Sequence, residues 1–307
     1  MNDVVLAFDT SNYTTSCAFF DGESGENAGR LLDVADGRLG LRQSDALFSH
    51  IKRLPAVTAS LPEHGGIVAV GASEKPRETE DSYMPCFLAG VSQAKVLAEV
   101  LGVPYYGFSH QQGHIAAAAW SAGREDLLER EHFAWHLSGG TTELLHVRPE
   151  GAAVRCEIIG GTSDLAAGQL IDRAGQALGL PFPAGKALDS LSVGADRFEY
   201  YRPRIDGLTF SISGIEHKMR RMVEEGEKPE NIAWFSLASV AHAVLAVTER
   251  ASEQADDIPV LFSGGVASNS LLRRIIPGGI FAQPRFSTDN AMGTAILTYR
   301  AVMANGR

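Results

Sequence analysis

The segment FSHQQGHIAA, residues 108–117, carries two histidines four positions apart, His110 and His114. Side chains at positions i and i+4 of a helix project from the same face, so both imidazoles would point to one place. Imidazole is a common ligand of transition metals, and a carboxylate from a distant segment could complete a set of three ligands with open positions for substrate or water. Taken alone, such a pair is more often ordinary packing than a ligand set. The spacing therefore indicates a candidate site for one metal ion.

Two copies of a strand, turn, strand pattern stand far apart along the chain. In the first copy the strands run from Val4 to Asp9 and from Ser16 to Asp21, with a hydroxyl-rich turn between them. In the second copy they run from Phe133 to Leu137 and from Glu143 to Val147, around the turn SGGTT. Hydroxyls and backbone N–H groups at such tips can bind phosphate oxygens. The duplication predicts two related lobes.

A third turn, LFSGGVASNS at residues 261–270, follows an apolar strand and opens a helix. Each turn alone is an ordinary connection, but their order resembles the actin, sugar kinase and Hsp70 superfamily, in which two ribonuclease-H-like lobes close over a nucleotide. This resemblance predicts an α/β fold of two such lobes with an interlobe nucleotide cleft. We expect a first lobe at 1–125, a second at 126–287, and a C-terminal helix at about 288–307 that packs back on the first.

Two further segments carry carboxylates at helical positions. The periodicity predicts a helix from about Asp164 to Leu178, and Asp172 lies off its apolar face, either as a solvated carboxylate or as one that faces a pocket. A turn then leads to a second short helix that carries Asp189. Asp289 stands where the C-terminal helix is expected to start, and an aspartate there is commonly an N-cap. These carboxylates are candidates for a site, with structural alternatives left open.

Composition restricts the class of protein. A chain of 307 residues with 45% apolar content can bury a large core in about two domains. Its longest apolar runs are far shorter than the roughly 20 residues of a membrane span, and its first residues lack a secretion pattern, so we expect a soluble cytoplasmic protein without membrane association. A net charge of −10 disfavours broad nucleic-acid binding. Scattered cysteines indicate reduced thiols rather than a disulfide framework: Cys17, Cys86 and Cys156.

Over nearly its whole length the chain resembles the tRNA threonylcarbamoyladenosine transferases, formerly described as glycoproteases or O-sialoglycoprotein endopeptidases. The motifs that carry the resemblance run in order from LAFDTSNYTTS through HQQGHI, LSGGTTEL, GGTSDLAAGQLIDRAGQALGLPFP, FSISGI and GGVASNSLLR to STDNAMG. The resemblance implies that His110, His114 and Asp289 bind one divalent metal ion, iron or zinc. It also implies a set of positions that hold an adenylate: Leu137, Ser138, Gly139, Gly140, Thr141, Asp172, Gly185, Asp189 and Asn269.

The same resemblance implies a reaction. A threonylcarbamoyl group arrives as a mixed anhydride with AMP, and the exocyclic amine of the adenine next to the anticodon of a tRNA attacks it. The metal would act as a Lewis acid, donors of the turn from Ser138 to Thr141 would stabilise negative charge, and AMP would leave. The partners implied for a bacterial member are tRNA, a smaller related protein of the same superfamily and a P-loop ATPase.

Several family positions are altered in this chain. Tyr13 and Thr14 stand where the family usually carries an acidic pair, Gln112 where it often has glutamate, and Thr141 where it has histidine. A charged segment, residues 73–85, replaces a glycine-rich loop. The catalytic residue is therefore unknown from sequence, and Asp9 and Ser11 in the altered first turn are the remaining candidates.

These changes leave an alternative open. The chain could be a diverged paralogue that binds adenine nucleotide and metal but acts on another acceptor, or serves as a partner or regulatory protein. A zinc peptidase is disfavoured, because the residue after His110 is Gln111, which cannot act as the general base that the glutamate of an HExxH motif supplies.

Overall fold

The computed structural model describes residues 3–33, 41–79, 81–253 and 258–306. Contacts divide the chain into two compact units, each built from separate segments. The first unit comprises Met1–Arg130, Arg148–Cys156 and Asp289–Arg307, and the second comprises Glu131–Val147 and Glu157–Thr288. These units differ from the lobes expected from sequence mainly at Arg148–Cys156, which joins the first unit. Arg307, the last residue of the expected C-terminal helix, lies outside the described residues, as does residue 80 of the charged segment.

A mixed sheet forms the centre of the first unit. Its order in the described chain is β3-β2-β1-β4-β5, with β1 antiparallel to β2 and parallel to β4. The strands are β1 Val4–Asp9, β2 Thr14–Phe20, β3 Gly25–Leu31, β4 Ile67–Lys75 and β5 Tyr105–Ser109. The helices of this unit are α1 Gln43–Thr58, α2 Leu88–Leu101, α3 His110–Ser121 and α9 Met292–Ala304. Every residue of β1 is buried, as its continuous apolar run leads one to expect of a central strand.

Helices cover this sheet and bring the C-terminus to it. α2 packs on β4 beside a cluster that includes Leu6, Phe8 and Val70. α9 contacts β1, β4 and α3, so the last helix of the chain lies in the same unit as the first strand.

The second unit is also built around one sheet. Its order in the described chain is β12-β11-β6-β7-β8-β10-β9, with β6 antiparallel to β7 and parallel to β11. The strands are β6 His132–Leu137, β7 Thr142–Glu150, β8 Ala153–Thr162, β9 Ile205–Asp206, β10 Thr209–Phe210, β11 Val260–Ser263 and β12 Ile280–Phe281. Residues 148–150 of β7 and 153–156 of β8 belong to the first unit. The helices are α4 Ala167–Ala177, α5 Gly185–Ser192, α6 Ser213–Glu224, α7 Pro229–Ser252 and α8 Ser270–Ile275. Both predicted hairpins are thus confirmed, as is the strand, glycine turn, helix order at β11 and α8.

Helix α7 is the core helix of the second unit. Among the helices of the described residues it alone is long and apolar enough to span a membrane. Within its most apolar stretch of 18 residues, however, 72% is buried inside the protein. Phe235, Leu237 and Val240 of α7 belong to the core that also includes Trp135 and Leu137 of β6. Burial against the sheet accounts for its apolar character.

Helix α4 begins three residues later than its periodicity predicts, at Ala167 rather than Asp164. The reason is that Asp164 is engaged elsewhere. Its carboxylate accepts hydrogen bonds from the backbone N–H groups of Leu165 and Ile212 and from the hydroxyl of Ser211. Asp164 therefore fastens the turn before α6, a long-range contact that periodicity does not report.

Candidate metal centre and nucleotide-binding segments

Asp9 ends β1 and is buried with only 1% of its surface exposed. Its Oδ1 accepts hydrogen bonds from the backbone N–H of Ser11 at 2.9 Å and from the Ser11 hydroxyl at 2.5 Å. Its Oδ2 accepts from the hydroxyl of Ser73 on β4 at 2.5 Å and lies 2.8 Å from Nδ1 of His110. A carboxylate with both oxygens so occupied is fixed in place, and it orients His110.

Helix α3 begins at His110, and its start is well defined. Ser109 caps it: the Ser109 hydroxyl accepts the N–H of Gln112, and the Gln112 side chain accepts the N–H of Ser109. The amide nitrogen of Gln112 also donates to the carbonyl of Val154 at 2.7 Å, which a glutamate could not do when ionised. The family's glutamate is therefore replaced here by a residue with a structural function in helix capping.

The two imidazoles meet as their spacing predicts. Nε2 of His110 lies 2.8 Å from Nε2 of His114, and each of these nitrogens lies 3.4 Å from Oδ1 of Asp289. Because Nδ1 of His110 donates to Asp9, the lone pair of its neutral ring is on Nε2, the nitrogen that faces the cluster.

Strong electrostatic coupling follows from this packing. Burial alone would lower the pKa of His110, but Asp9 and Asp289 raise it to about 10. Burial and the charge of His110 lower the pKa of His114. Burial would raise the pKa of Asp289, yet its hydrogen bonds with both histidines hold it well below the usual value. Metal binding would require both rings neutral, so a bound ion would displace the proton of His110.

Asp289 reaches the histidines because α9 crosses α3 very closely. A Cβ placed on Gly293 would lie 1.7 Å from the carbonyl oxygen of Gly113, so only glycine fits there. Helix α9 begins at Met292 and its N-cap residue is Ala291, which makes no side-chain cap. The interpretation of Asp289 as an N-cap is therefore wrong, and its carboxylate belongs to the histidine cluster.

This donor set fits a transition metal. The ligand atoms of His110, His114 and Asp289 all lie within 4.8 Å of one another. Two imidazoles and one carboxylate are the combination that iron and zinc sites use with open positions. A carboxylate that orients a ligating histidine, as Asp9 orients His110, is the usual outer partner of such sites.

In the second unit, the turn between β6 and β7 is held by its own ends. The N–H of Ser138 donates to the carbonyl of Thr141 at 2.8 Å, and the N–H of Thr141 donates to the Ser138 hydroxyl at 3.1 Å. Gly139 and Gly140 are exposed, with open space where a Cβ would be. Their backbone is accessible to an anionic ligand.

Helix α4 starts against this turn. The N–H of Gly168 donates to the carbonyl of Ser138 at 3.2 Å, and a Cβ on Gly168 would lie 2.5 Å from the Cα of Gly139. One turn further along, Oδ1 of Asp172 accepts the N–H of Ala184 at 2.8 Å. Asp172 is thus half-buried and joins α4 to the start of α5, so it is not a plain solvated carboxylate.

The remaining predicted positions continue the same chain of contacts. Asp189 on α5 accepts the N–H and the hydroxyl of Ser270, each at 2.9 Å. Oδ1 of Asn269 caps α8 by accepting hydrogen bonds from the backbone N–H groups of Leu271 and Leu272, at 3.0 Å each. Gly264, with φ +93°, packs directly on the carbonyl of Leu137. The structure therefore links the segments around 137–141, 172, 185–189 and 264–269 within one unit.

Sequence reasoning missed Ser73 and Asp164. Ser73 lies in the charged segment, yet it is buried and donates to Asp9. Asp164 was expected to start a helix and instead holds the turn before α6. A serine that follows an apolar run within a strand is consistent with a buried hydroxyl, but its partner is 64 residues away and no local pattern identifies it.

Two solved structures share the fold of the chain. Full-length HypF matches 98% of this chain with a TM-score of 0.63 and 13% identity, and the chain spans 56% of HypF. The ROK hexokinase of Thermus thermophilus matches with a TM-score of 0.52 and 15% identity over 98% of this chain and 99% of that enzyme. These likenesses confirm the predicted α/β fold.

Sequence comparison gives the family. The sequence model of TsaD, described as tRNA N6-adenosine threonylcarbamoyltransferase, matches residues 83–296. A protein of that name from Latilactobacillus sakei subsp. sakei (strain 23K) is 31% identical over 296 residues, which cover 91% of this chain and 82% of the relative. The chain belongs to the tRNA N6-adenosine threonylcarbamoyltransferase family. It is a transferase of the class that acts on tRNA.

Proposed function

We propose that this chain transfers a threonylcarbamoyl group from threonylcarbamoyl-adenylate to the exocyclic amine of the adenine next to the anticodon in tRNA, in a metal-dependent reaction. The observation that carries the proposal is the convergence of His110, His114 and Asp289, whose ligand atoms approach to 3.4 Å or less in a member of this family.

One divalent transition metal ion, iron or zinc, would be held by these three side chains and would supply Lewis acidity toward a carbonyl or carboxylate oxygen. Asp9 fixes the ring of His110 and the tautomer that presents Nε2. Because Asp9 already accepts from Ser11, Ser73 and His110, it is a positioning residue and a poor proton acceptor. Burial would raise its pKa, but the charge of His110 and these hydrogen bonds keep it below the usual value.

The adenylate is assigned to the second unit. The N–H groups of Gly139 and Gly140 suit phosphate oxygens, and Gly185 has no side chain that would keep a ligand away from its backbone. Oδ1 of Asp172 is used by Ala184, whereas Oδ2 has no partner in the described part of the chain and can accept from a ribose hydroxyl. The Nδ2 donor of Asn269 is the group that its capping role leaves for the ligand. HypF, which shares this fold, is known in a phosphate- and nucleotide-bound form.

The proposal includes partners and location. The acceptor is tRNA, and a smaller related protein of the same superfamily and a P-loop ATPase would act with the chain in the cytoplasm. The long apolar helix α7 is compatible with this, because it is buried in its own unit.

A second candidate function is supported by the first turn. Tyr13 and Thr14 offer no carboxylate, and the neighbouring Asp9 is committed to His110, so this turn offers no obvious proton acceptor for the attacking amine. A diverged paralogue that binds metal and adenine nucleotide, but acts on another acceptor or on a partner protein, would tolerate that loss. The double variant Tyr13→Asp plus Thr14→Glu separates the two, since activity gained only in the variant would favour the paralogue.

The experiment that tests the proposal follows labelled threonine into tRNA. Wild type and His110→Ala are incubated with threonylcarbamoyl-adenylate, tRNA and the candidate partners, and acid-precipitable label and released AMP are measured together. We expect equal amounts of both with wild type and background amounts with the variant. AMP release without label in tRNA would instead indicate hydrolysis or another acceptor.

A further inference from the structure

A segment between α5 and β9 separates two surface grooves of the second unit. Tyr200 and Arg202 line the groove against α7, whereas the groove against α6 is lined by their neighbours Arg197, Glu199 and Tyr201. Neighbouring side chains that point to opposite sides are typical of an extended chain. The even-numbered residues of this segment therefore form a row that faces α7.

Two aromatic side chains of this row pack on rings of α7. The ring of Tyr200 stacks on His242, with the ring centroids 3.8 Å and the planes 15° apart. Phe198 meets Trp234 edge-on, with the centroids 4.7 Å apart, and is 62% exposed. Burial and the charge of Arg202 lower the pKa of His242, so its ring is neutral at pH 7. Phe198 and Tyr200 stand two residues, about 7 Å, apart along an extended segment, a spacing comparable to that of neighbouring nucleotides in an extended single strand.

Arg202 adds a positive charge to the same row. Its guanidinium carbon lies 5.2 Å from the centroid of the Tyr200 ring, and its Nε and Nη2 donate to the Tyr200 hydroxyl. Arginine has five N–H donors, so most of them are left for a ligand in the described part of the chain. Arg250 donates to the carbonyl of Ile205, which lines the same groove. Two guanidinium groups thus stand against one lining carboxylate, that of Glu249.

We propose that the groove between this segment and α7, with a volume of about 390 Å³, binds unpaired nucleotides of an RNA. The bases would pack against the rings of Phe198 and Tyr200, and a phosphate would lie on Arg202. Aromatic rings combined with arginine are the means by which many proteins hold single-stranded RNA. An acidic peptide would use the arginines but leave the rings without a stacking partner. The site goes beyond the transfer reaction, and only the identification of the RNA as tRNA rests on the proposed function.

Fluorescence anisotropy with a short labelled single-stranded RNA tests the site, at several salt concentrations and with thermal melting in parallel. We expect Phe198→Ala to weaken binding about 5- to 150-fold, the usual effect of losing one base-stacking ring, and Phe198→Tyr to bind like wild type. Arg202→Gln should reduce the slope of log affinity against log salt by about 0.7, the effect of losing one phosphate contact. The matched control is Arg221→Gln, which removes the same charge from an exposed position of α6 and should change neither quantity.

Phe198 and Arg202 are exposed, so both variants should melt close to wild type. RNA binding by Phe198→Ala and Arg202→Gln as tight as that of wild type would overturn the inference. Duplex RNA bound as tightly as the single strand, or RNA displaced equally well by a glutamate-rich peptide, would also overturn it. Because no threonylcarbamoyl-adenylate is present, the outcome is independent of transfer: single-strand binding through this groove without any modification of tRNA would refute only the proposed function.

Discussion

The crossing of α3 and α9 gives a sharp prediction about Gly293. In Gly293→Ala the new methyl group would lie 1.7 Å from the carbonyl oxygen, 2.5 Å from the carbonyl carbon and 2.9 Å from the Cα of Gly113. All three atoms are backbone, so no side chain can turn away. Since ordinary contact begins at 3.4 Å, the helices must separate by about 1.7 Å. Asp289, four residues before Gly293, would move with α9.

The magnitude follows from two opposing effects. Overpacking typically costs about 1–3 kcal/mol, and a clash with backbone belongs at the upper end. Replacing a helical glycine with alanine stabilises the helix by about 1 kcal/mol, because alanine has the higher helix propensity. We therefore expect a net loss of about 2 kcal/mol in the free energy of unfolding of the first unit. Metal sites tolerate only about 0.2 Å in ligand distances, so metal affinity should also fall sharply.

The matched control is Gly113→Ala, on the other side of the same crossing. Its methyl group would first meet the hydroxyl of Thr294 at 3.1 Å, a side chain that can shift. Its stability should stay within about 0.5 kcal/mol of wild type, because the helix propensity gained offsets the tighter contact. Urea unfolding and zinc titration calorimetry provide the measurements. If Gly293→Ala were as stable as Gly113→Ala and bound zinc as wild type does, the close crossing would not define this site.

Three further predictions concern the buried carboxylate, the turn before α6 and the thiols. Asp9→Asn should weaken zinc binding about 10- to 100-fold in calorimetry, because the ring of His110 loses its partner; an unchanged Kd would remove Asp9 from the site. Burial alone would raise the pKa of Asp164, but the hydrogen bonds that its carboxylate accepts lower it by more, so its pKa lies below the usual value. Asp164→Ala should therefore destabilise the protein by about 1 kcal/mol above about pH 5, a modest value for an exposed group, with the difference vanishing as pH falls through the lowered pKa. A pH-independent difference in urea unfolding would contradict this. Burial raises the pKa of Cys17 to about 11 and of Cys156 to about 12, so native protein should react with iodoacetamide at pH 8 far more slowly than unfolded protein, as mass spectrometry can measure.

Short-range sequence patterns were sufficient to predict most strands and helices and to predict that the two histidines lie together. Val4–Asp9 is a strand because its apolar run fills the centre of a sheet, and the i, i+4 spacing placed both imidazoles on one face of α3. The place of Asp289 was not predictable from local pattern alone, because it depends on a crossing between Gly113 and Gly293, 180 positions apart in the chain. The resemblance to a family supplied that pairing.

Residues with two structural partners were the least predictable from sequence. The resemblance implies that Asp172 and Asn269 contact a ligand, and the structure shows that each of them fastens a helix end. Asp164 was expected to begin a helix and instead holds a turn 48 residues away.

The central claim is that this chain modifies tRNA through the cluster of His110, His114 and Asp289. Nucleoside mass spectrometry of tRNA incubated with threonylcarbamoyl-adenylate and the candidate partners tests it most directly, with wild type and His114→Ala compared at measured metal content. We expect threonylcarbamoyladenosine to accumulate with wild type in proportion to bound metal and to be undetectable with the variant. Equal accumulation with both proteins, or none with metal-loaded wild type, would contradict the account.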